Sequence, residues 1–385
     1  MDERIAYFDN AATTFPKPEC VYDFADAFYR RSGGSIGRGG NALAIAAASV
    51  ARQAKDNLRK LYSCPAHEVV FTASATDALN RILLGLSLVA GDHVYLTPFE
   101  HNAVTRPLNQ LTKRPGVLLH VLPFDNDEFL PDMVAIEGEF EKQQPKLVVL
   151  THASNVCGAV VPVSDICDLA KRFGATTVVD MSQTAGLIKL DLSSNNVDFA
   201  VFAGHKTLYG PFGIGGFFCR KGARLNPVLF GGNGINSIQQ DMPDDIVQME
   251  EIGSQNAYAI AGLKASTEWL LDQGMDAIRE KERLSLGKLQ DILDGAPLNI
   301  VGSDMKCERI GVLSACFDGY SPDEMEMILG HYGVAVRSGM HCAPYAHTFL
   351  GTLPAGTVRF SVSVLTQDYE FALLKDALDE IAESY

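Results

Sequence analysis

The sequence predicts an α/β protein: a mostly parallel sheet wrapped by helices, followed by a smaller α+β region. Three observations support this prediction. The chain has 385 residues, of which 47% are hydrophobic and 21% charged, enough for a large core and two domains. Up to about residue 255, short apolar strands alternate with helical patterns. Beyond it, two long helical stretches precede further strands.

The first region shows its elements in turn. The run Val69-Val70-Phe71-Thr72 predicts a strand, and Ser74 with Asp77 forms an S-x-x-D pattern that predicts a helix start. A helix over 163–173 should end at Gly174, because glycine readily caps helices. Further strands are expected at 92–97, 117–122, 146–151, 176–180 and 197–202.

The second region begins with two predicted helices, one from about 255 to 271 and one from 275 to 293. A last helix starts at Asp368. Between these helices we expect three strands, at 311–317, 333–337 and 357–362.

Composition excludes several classes of protein. A net charge of −15 and a pI near 5.0 argue against nucleic acid or anionic membrane as a partner, since both need clustered Lys and Arg. There is no apolar run of about 18 residues, and Met1–Arg4 lacks the apolar core of a signal peptide. The eight cysteines form no C-x-x-C pair and no zinc-finger spacing. We therefore expect a cytoplasmic protein without a metal site.

Asp180 and Lys206 carry the most chemical information. Asp180 ends a β-branched run, so its carboxylate should emerge at the carboxyl edge of the sheet, where α/β proteins bind ligands. Lys206 follows the apolar run at 197–202. A lysine that bonds the cofactor covalently, with an aspartate for its pyridinium nitrogen, is what pyridoxal 5'-phosphate (PLP) chemistry requires. On position alone, a surface lysine after a strand remains an alternative.

Other polar residues are expected at the same edge. The turn at Ala75 and Thr76 offers a helix N-terminus, which suits a phosphate, although it also fits an ordinary helix cap. His101 follows a strand and has the chemistry to stack on a flat ring or move protons; alternatively, it is a surface residue. Asn155 offers an amide for a ring hydroxyl, or simply turn chemistry.

The order and spacing of these residues resemble one family over essentially the whole chain. It is the class V aminotransferase-fold, PLP-dependent cysteine desulfurase family, in its SufS-like and NifS-related branch. The matching segments are YFDNAATT at 7–14, GRGG at 37–40, EHN at 100–102, THASN at 151–155, VD at 179–180 with Gln183, GHK at 204–206, EIGSQN at 251–256, VRSGMHCAP at 336–344 and GTVRFS at 356–361. The resemblance implies an aspartate aminotransferase-like fold (fold type I). It also implies a PLP-binding large domain over 16–260 and a small domain made of 1–15 with 261–385.

The resemblance implies roles around the cofactor ring. Lys206 would bond the cofactor and then move the substrate's α-proton. Asp180 would keep the pyridine nitrogen protonated, and His101 would stack on the ring and act as an acid or base. Gln183 and Asn155 would hydrogen-bond around the ring oxygen.

The phosphate and the substrate have implied contacts of their own. Ala75, Thr76 and His205 would hold the phosphate together with Ser254 from a second subunit, which implies a homodimer with shared active sites. Arg359 would grip the carboxylate of L-cysteine bidentately. An arginine pointing outward from a strand is the alternative. Arg337, Asn155 and Ala12 are the other expected substrate contacts.

Cys342 indicates the type of reaction. It lies in a predicted loop, where a neighbouring histidine and arginine favour a thiolate. In the family's mechanism this thiolate attacks the substrate sulfur, leaving L-alanine and a Cys342 persulfide. The persulfide would pass to a sulfur-acceptor protein, as in sulfur mobilisation for iron–sulfur cluster assembly.

Alternatives remain on the same fold: a selenocysteine lyase, another carbon–sulfur lyase, a class V aminotransferase or a non-catalytic binding protein. A nicotinamide-binding Rossmann protein is excluded, because no G-x-G-x-x-G follows the first strand.

Three positions depart from the family pattern. Ala203 stands where relatives carry a hydroxyl, which removes one phosphate contact, worth roughly 0.5–1.5 kcal/mol. Asn41 replaces a histidine, and Leu365-Thr366 replaces an asparagine-threonine pair.

Overall fold

The computed structural model describes residues 5–36, 39–194, 196–232, 234 and 238–383. The GR half of the GRGG motif (37–38) and the Met1–Arg4 segment lie outside these residues. Within them, the helices are α1 Glu19–Ser32, α2 Ala42–Leu61, α3 Ala75–Gly85, α4 Asn102–Lys113, α5 Met133–Lys142, α6 Val163–Arg172, α7 Ile246–Glu250, α8 Ala257–Gln273, α9 Met275–Asp294, α10 Pro322–His331, α11 Pro344–Phe349 and α12 Asp368–Glu383. The strands are β1 Ala6–Tyr7, β2 Glu68–Thr72, β3 His93–Leu96, β4 Leu118–Val121, β5 Pro145–Thr151, β6 Thr176–Asp180, β7 Phe199–Ala203, β8 Gly215–Cys219, β9 Leu298–Ile300, β10 Val312–Phe317, β11 Val334–Ala335, β12 Arg337–Gly339 and β13 Thr357–Ser361.

A seven-stranded sheet organises the first region, in the order β2-β8-β7-β6-β5-β3-β4. The pairs β3–β4, β3–β5, β5–β6 and β6–β7 are parallel. Strand β8 runs antiparallel to both of its neighbours. The predicted mostly parallel sheet is therefore confirmed, with one reversed strand.

The predicted start of α3 and end of α6 are confirmed. The Ser74 hydroxyl accepts from the backbone N–H of Asp77 at 3.1 Å. The Asp77 carboxylate accepts a hydrogen bond from the backbone N–H of Ala73, the residue before the N-cap, and not from that of Ser74. Helix α6 ends at Arg172, and Gly174 has a φ of +75°, in the left-handed region that glycine adopts without strain.

The second region contains a four-stranded antiparallel sheet, β12-β13-β10-β9, and a two-stranded sheet, β1-β11. The prediction of one strand at 333–337 was wrong. Strand β11 pairs in parallel with β1, whereas β12 pairs with β13. The chain changes sheets between Ala335 and Arg337 because two partners from distant parts of the sequence are available to it.

Buried apolar side chains form two clusters on the seven-stranded sheet and a third around the four-stranded sheet. Successive residues of the central strands alternate between the first two clusters, as the strand period of two requires. Ala6 and Phe8 pack in the third cluster with residues from the C-terminal region. The domain boundaries given above remain a prediction.

Glu100 ties together two strand ends at the carboxyl edge of the large sheet. Its buried carboxylate accepts from Thr97 Oγ1, Thr151 N and Thr151 Oγ1, each at 2.7 Å. Burial raises the pKa of this carboxyl to about 7. The carboxylate thus fixes the loops that follow β3 and β5, which carry His101 and Asn155.

Gly215 lets the start of α3 approach β8. A Cβ at this position would lie 2.5 Å from Ser74 C and 2.6 Å from Ala75 N. We expect Gly215→Ala to lower the free energy of unfolding by roughly 1–3 kcal/mol, because backbone would have to move.

The matched control is Gly138→Ala, because no atom lies within 4 Å of that added Cβ. In helix α5 it should be neutral or stabilising by up to about 1 kcal/mol. Urea unfolding of both variants measures the difference, and equal stabilities would contradict the close approach at Gly215.

Candidate active site

The carboxyl ends of the parallel strands surround a cavity of about 230 Å³. Most of the residues predicted for the site line it together. They are Ala12, Ala75, Thr76, His101, Asn155, Asp180, Gln183, His205, Lys206, Arg337 and Arg359. Ser254 and Cys342 are not among the lining residues.

Lys206 lies just beyond β7 and projects into the cavity. Burial lowers the pKa of its amine to about 8, although the nearby Asp180 carboxylate opposes this shift. The lower pKa leaves a substantial neutral fraction near physiological pH. A neutral amine is the form that attacks a carbonyl carbon.

Asp180 ends β6 and is held in one orientation. Its Oδ1 accepts from Ser182 N at 2.9 Å and from Ser182 Oγ at 2.5 Å. Both hydrogen bonds use the same oxygen, so Oδ2 is available to a group in the cavity. Sequence reasoning did not anticipate Ser182, although its place two residues after the aspartate is typical of side chains that bond nearby backbone and carboxylate groups.

His101 is the N-cap of α4. Its Nδ1 accepts from Ala103 N at 3.0 Å, so Nε2 carries the hydrogen of the neutral ring. Burial and the charge of Lys206 lower the pKa of this imidazole to about 4. The ring is therefore neutral near pH 7 and presents an N–H donor and a flat face.

The start of α3 lines the cavity. The amides of Ala75 and Thr76 belong to the first turn, where N–H groups have no acceptor within the helix and suit an anion. His205 also lines the cavity and stacks on Phe212, with ring centroids 4.6 Å apart. Its buried Nδ1 has no hydrogen-bond partner among the described residues, and burial lowers the pKa of the ring to about 3.

Two amide side chains, those of Asn155 and Gln183, also line the cavity. Asn155 Nδ2 donates to His341 O at 2.7 Å, while its buried Oδ1 has no partner in the described part of the chain. Gln183 Nε2 donates to Ala11 O at 3.0 Å. Both side chains are thereby oriented, and each keeps hydrogen-bonding capacity for a ligand.

Arg359 is almost fully buried, with 1% of its surface exposed. Its Nη2 donates to Asp9 Oδ1 at 2.5 Å and its Nη1 to Asn155 O at 3.0 Å. Its Nε has no partner among the described residues. Arg337 lies directly opposite on the neighbouring strand, and burial lowers the pKa of the Arg359 guanidinium.

Cys342 occupies a strained loop beside the cavity. His341 and Cys342 have φ values of 45° and 58°, in the left-handed region that non-glycine residues rarely adopt. Asn102 N donates to the Cys342 carbonyl at 2.7 Å, and the thiol lies 3.9 Å from Arg337 Nη2. Such strain persists where surrounding contacts impose it and is common at functional sites.

Ser254 lies in an exposed segment between α7 and α8, away from the cavity lining. The predicted contact of this residue with the cofactor phosphate in a second subunit stays a prediction. Asn41, which departs from the family pattern, caps α2 by accepting from Leu43 N and Ala44 N.

The described residues lack two features, a metal-binding cluster and a membrane-spanning helix. Among the residues that the structure describes, there is no cluster of three or more His, Cys, Asp or Glu suited to a metal ion. Nor does any helix in the described ranges have the length and apolar character needed to span a membrane.

Comparison with known proteins identifies the family. The model of the aminotransferase class-V family matches residues 6–374. The chain belongs to the class-V aminotransferase family. A probable cysteine desulfurase from Aeropyrum pernix is 30% identical, covering 99% of this chain and 95% of its own. A cysteine desulfurase from Synechococcus elongatus is 31% identical over 88% of this chain and 55% of its own.

Solved structures agree with this family assignment. The apo structure of a cysteine desulfurase from Thermococcus onnurineus has a TM-score of 0.90 at 28% identity, covering 99% of this chain and 95% of its own. A cysteine desulfurase from Escherichia coli has a TM-score of 0.86 at 26% identity, covering 100% and 96%. The predicted family and fold class are thereby confirmed.

The lowered pKa of Lys206 predicts an unusual pH dependence of its reactivity. Modification by trinitrobenzenesulfonate, followed at Lys206 by peptide mass spectrometry, should rise with pH and level off above about 8. The reactivity of Nα-acetyl-lysine in the same tube should keep rising with pH up to about 10.4, the ordinary pKa of a lysine amine. Asp180→Asn should move the Lys206 midpoint lower, because Asp180 raises this pKa. Parallel curves for Lys206 and the free lysine would contradict the assignment.

Proposed function

We propose that this protein is a PLP-dependent cysteine desulfurase that converts L-cysteine to L-alanine and takes the sulfur onto Cys342. One observation carries the proposal: Lys206, Asp180 and an incompletely paired Arg359 face one cavity, with the strained Cys342 loop at its side. The relatives named as cysteine desulfurases support it.

The residues present fit PLP. The first-turn amides of α3 and the unpartnered His205 Nδ1 suit the phosphate, and Asp180 Oδ2 suits a protonated ring nitrogen. The flat face of His101 suits stacking on the ring. When bound, PLP supplies an electron sink for the carbon atoms of an amino acid. Ala203 offers no hydroxyl to the phosphate, so the other contacts must hold it.

Arg359 is suited to the substrate carboxylate. Two of its three nitrogens are already bonded, to Asp9 and to the Asn155 carbonyl, which fixes the guanidinium plane. The unpartnered Nε and the neighbouring Arg337 leave positive charge for an incoming carboxylate. Asp9, which sequence reasoning missed as a partner, therefore acts as the residue that orients Arg359.

Lys206 is suited to proton transfer. Its pKa of about 8 lets the amine take a proton from the substrate α-carbon and release it again near neutral pH. His101, whose ring is neutral, presents Nε2–H as a hydrogen-bond donor. We assign the α-proton to Lys206 and ring contact to His101.

Cys342 receives the sulfur. Its thiolate forms an S–S bond with the substrate sulfur while the substrate Cβ–S bond breaks. The electron pair of that bond stays with the carbon fragment, which takes up a proton and leaves as alanine. Arg337, whose Nη2 lies 3.9 Å from the Cys342 sulfur, places a positive charge beside the reacting atom.

Wider features belong to the same proposal. A homodimer would bring Ser254 of one subunit to the phosphate of the other. Apolar surface for such a contact is offered by the exposed side chains of Phe15, Tyr22, Phe212 and Tyr258. Transfer of sulfur to an acceptor protein, a role in iron–sulfur cluster assembly and a cytoplasmic location also remain proposals.

The function is tested with PLP-loaded protein and L-cysteine. Wild type should form alanine and a Cys342 persulfide in equal amounts in the first turnover. Cys342→Ala should form no persulfide at that position and lose alanine formation by about 100-fold or more, because the nucleophile is gone. Cys20→Ala, which removes an exposed thiol on α1, is the matched control and should behave as wild type.

Other outcomes identify the alternatives. Free sulfide released equally by wild type and Cys342→Ala would indicate a carbon–sulfur lyase. Turnover of L-selenocysteine alone would indicate a selenocysteine lyase, and a keto acid product would indicate an aminotransferase. Each of these would overturn the proposal.

A further inference from the structure

Lys17 reaches the backbone of the lysine that faces the cavity. Its Nζ lies 2.6 Å from the His205 carbonyl and 2.7 Å from Thr14 Oγ1, with Thr13 Oγ1 at 3.4 Å. The amine therefore contacts the peptide group that links His205 to Lys206. The contact with His205 does not follow from the spacing of the sequence, because 188 positions separate the two residues.

The two threonines hold the same turn. Thr13 Oγ1 donates to the His205 carbonyl at 3.0 Å, and Thr14 N donates to it at 3.2 Å. Thr14 Oγ1 accepts from Lys17 and lies 3.1 Å from the Lys206 carbonyl, to which it donates. A chain of hydrogen bonds thus runs from Lys17 through Thr14 to Lys206.

Lys17 occupies this position at an electrostatic cost. It is half-buried, and it makes no ion pair with a carboxylate in the described part of the chain. Burial lowers the pKa of its amine to about 7. A partly buried amine without a carboxylate is unfavourable unless it donates hydrogen bonds. The acceptors of the Lys17 amine are the His205 carbonyl and the hydroxyls of the two threonines that bond the same turn.

The same N-terminal segment touches other parts of the site. Asp9 pairs with Arg359, and the Ala11 carbonyl accepts from Gln183. The segment from Asp9 to Lys17 therefore contacts the arginine, the glutamine and the lysine of the cavity.

We propose that Lys17, through Thr13 and Thr14, is a positioning residue that fixes the backbone of Lys206 for its bond to the cofactor. Here the inference rests on the proposed function, since it takes Lys206 as the lysine that bonds PLP. Lys17 itself does not line the cavity, so it acts through the His205 and Lys206 carbonyls and not on the reacting atoms.

The test compares Lys17→Met, which keeps the length but removes the donor, with Lys17→Arg, which keeps the donor and the charge. Lys142→Met, an exposed lysine on α5, is the control. Hydrogen exchange of the apo protein, measured on peptides covering 203–212, reports the turn without any cofactor. PLP affinity and the visible absorption band of the lysine-bound cofactor are measured on the loaded protein in the absence of L-cysteine.

Lys17→Met should speed exchange in 203–212 about 10-fold and weaken PLP binding about 10-fold, as the loss of one hydrogen bond from the Lys17 amine to the His205 carbonyl predicts. The kcat for L-cysteine should fall while its KM stays within about twofold, because Arg359 is not affected. Lys17→Arg should recover most of both effects, and Lys142→Met should equal wild type.

Thr14→Val provides a second variant that leaves Lys17 in place and breaks the chain to Lys206. It should speed exchange in the same peptides. Wild-type exchange in 203–212 for both Lys17→Met and Thr14→Val would overturn the inference, as would loss of protection spread evenly over the whole chain. If wild type forms no lysine-bound PLP, the proposed function fails, whereas the exchange data still decide whether Lys17 fixes this turn.

Discussion

Positive charge buried around one cavity is the constraint on which the site depends. Lys206, Arg337 and Arg359 all face it, while Asp180 is the carboxylate in its lining and Asp9 lies behind Arg359. The protein as a whole carries a net charge of −15, so this local excess of cations runs against its composition. Buried cations are costly unless anions accompany them. The phosphate of the proposed cofactor and the carboxylate of the proposed substrate would supply the missing negative charge.

The fold creates this constraint from simple parts. Parallel strands end at the same edge, so the residues that follow β3, β5, β6 and β7 meet there. Glu100 ties the ends of β3 and β5, and Gly215 lets the start of α3 approach β8. The N-terminal segment adds contacts to Arg359 and to the Lys206 carbonyl. Cys342 reaches the site's edge on a loop whose backbone is held in an unfavourable conformation.

The sequence predicts those parts of the site whose positions depend on local residue patterns and on the direction of the strands. Asp180 and Lys206 follow recognisable strands, and the amides of α3 follow a recognisable helix start, so their convergence was predictable. The Asp9–Arg359 pair was not, because its partners are 350 positions apart and a side-chain pair leaves no local signal. The division of 333–337 between two sheets depends on β1 and β13, which are distant in sequence. Lys17 was missed because its distant partner is the backbone carbonyl of His205, and no residue type marks a carbonyl.

The proposed bond between Lys206 and PLP is tested by reducing the PLP-loaded protein with borohydride and analysing its peptides by mass spectrometry. A stable phosphopyridoxyl group on the peptide containing Lys206, absent from Lys206→Ala, is the predicted result. Lys17, whose pKa burial also lowers, is the internal comparison and should remain unlabelled. Label on Lys17 or another lysine, or no label in the loaded wild type, would exclude Lys206 as the lysine that bonds PLP.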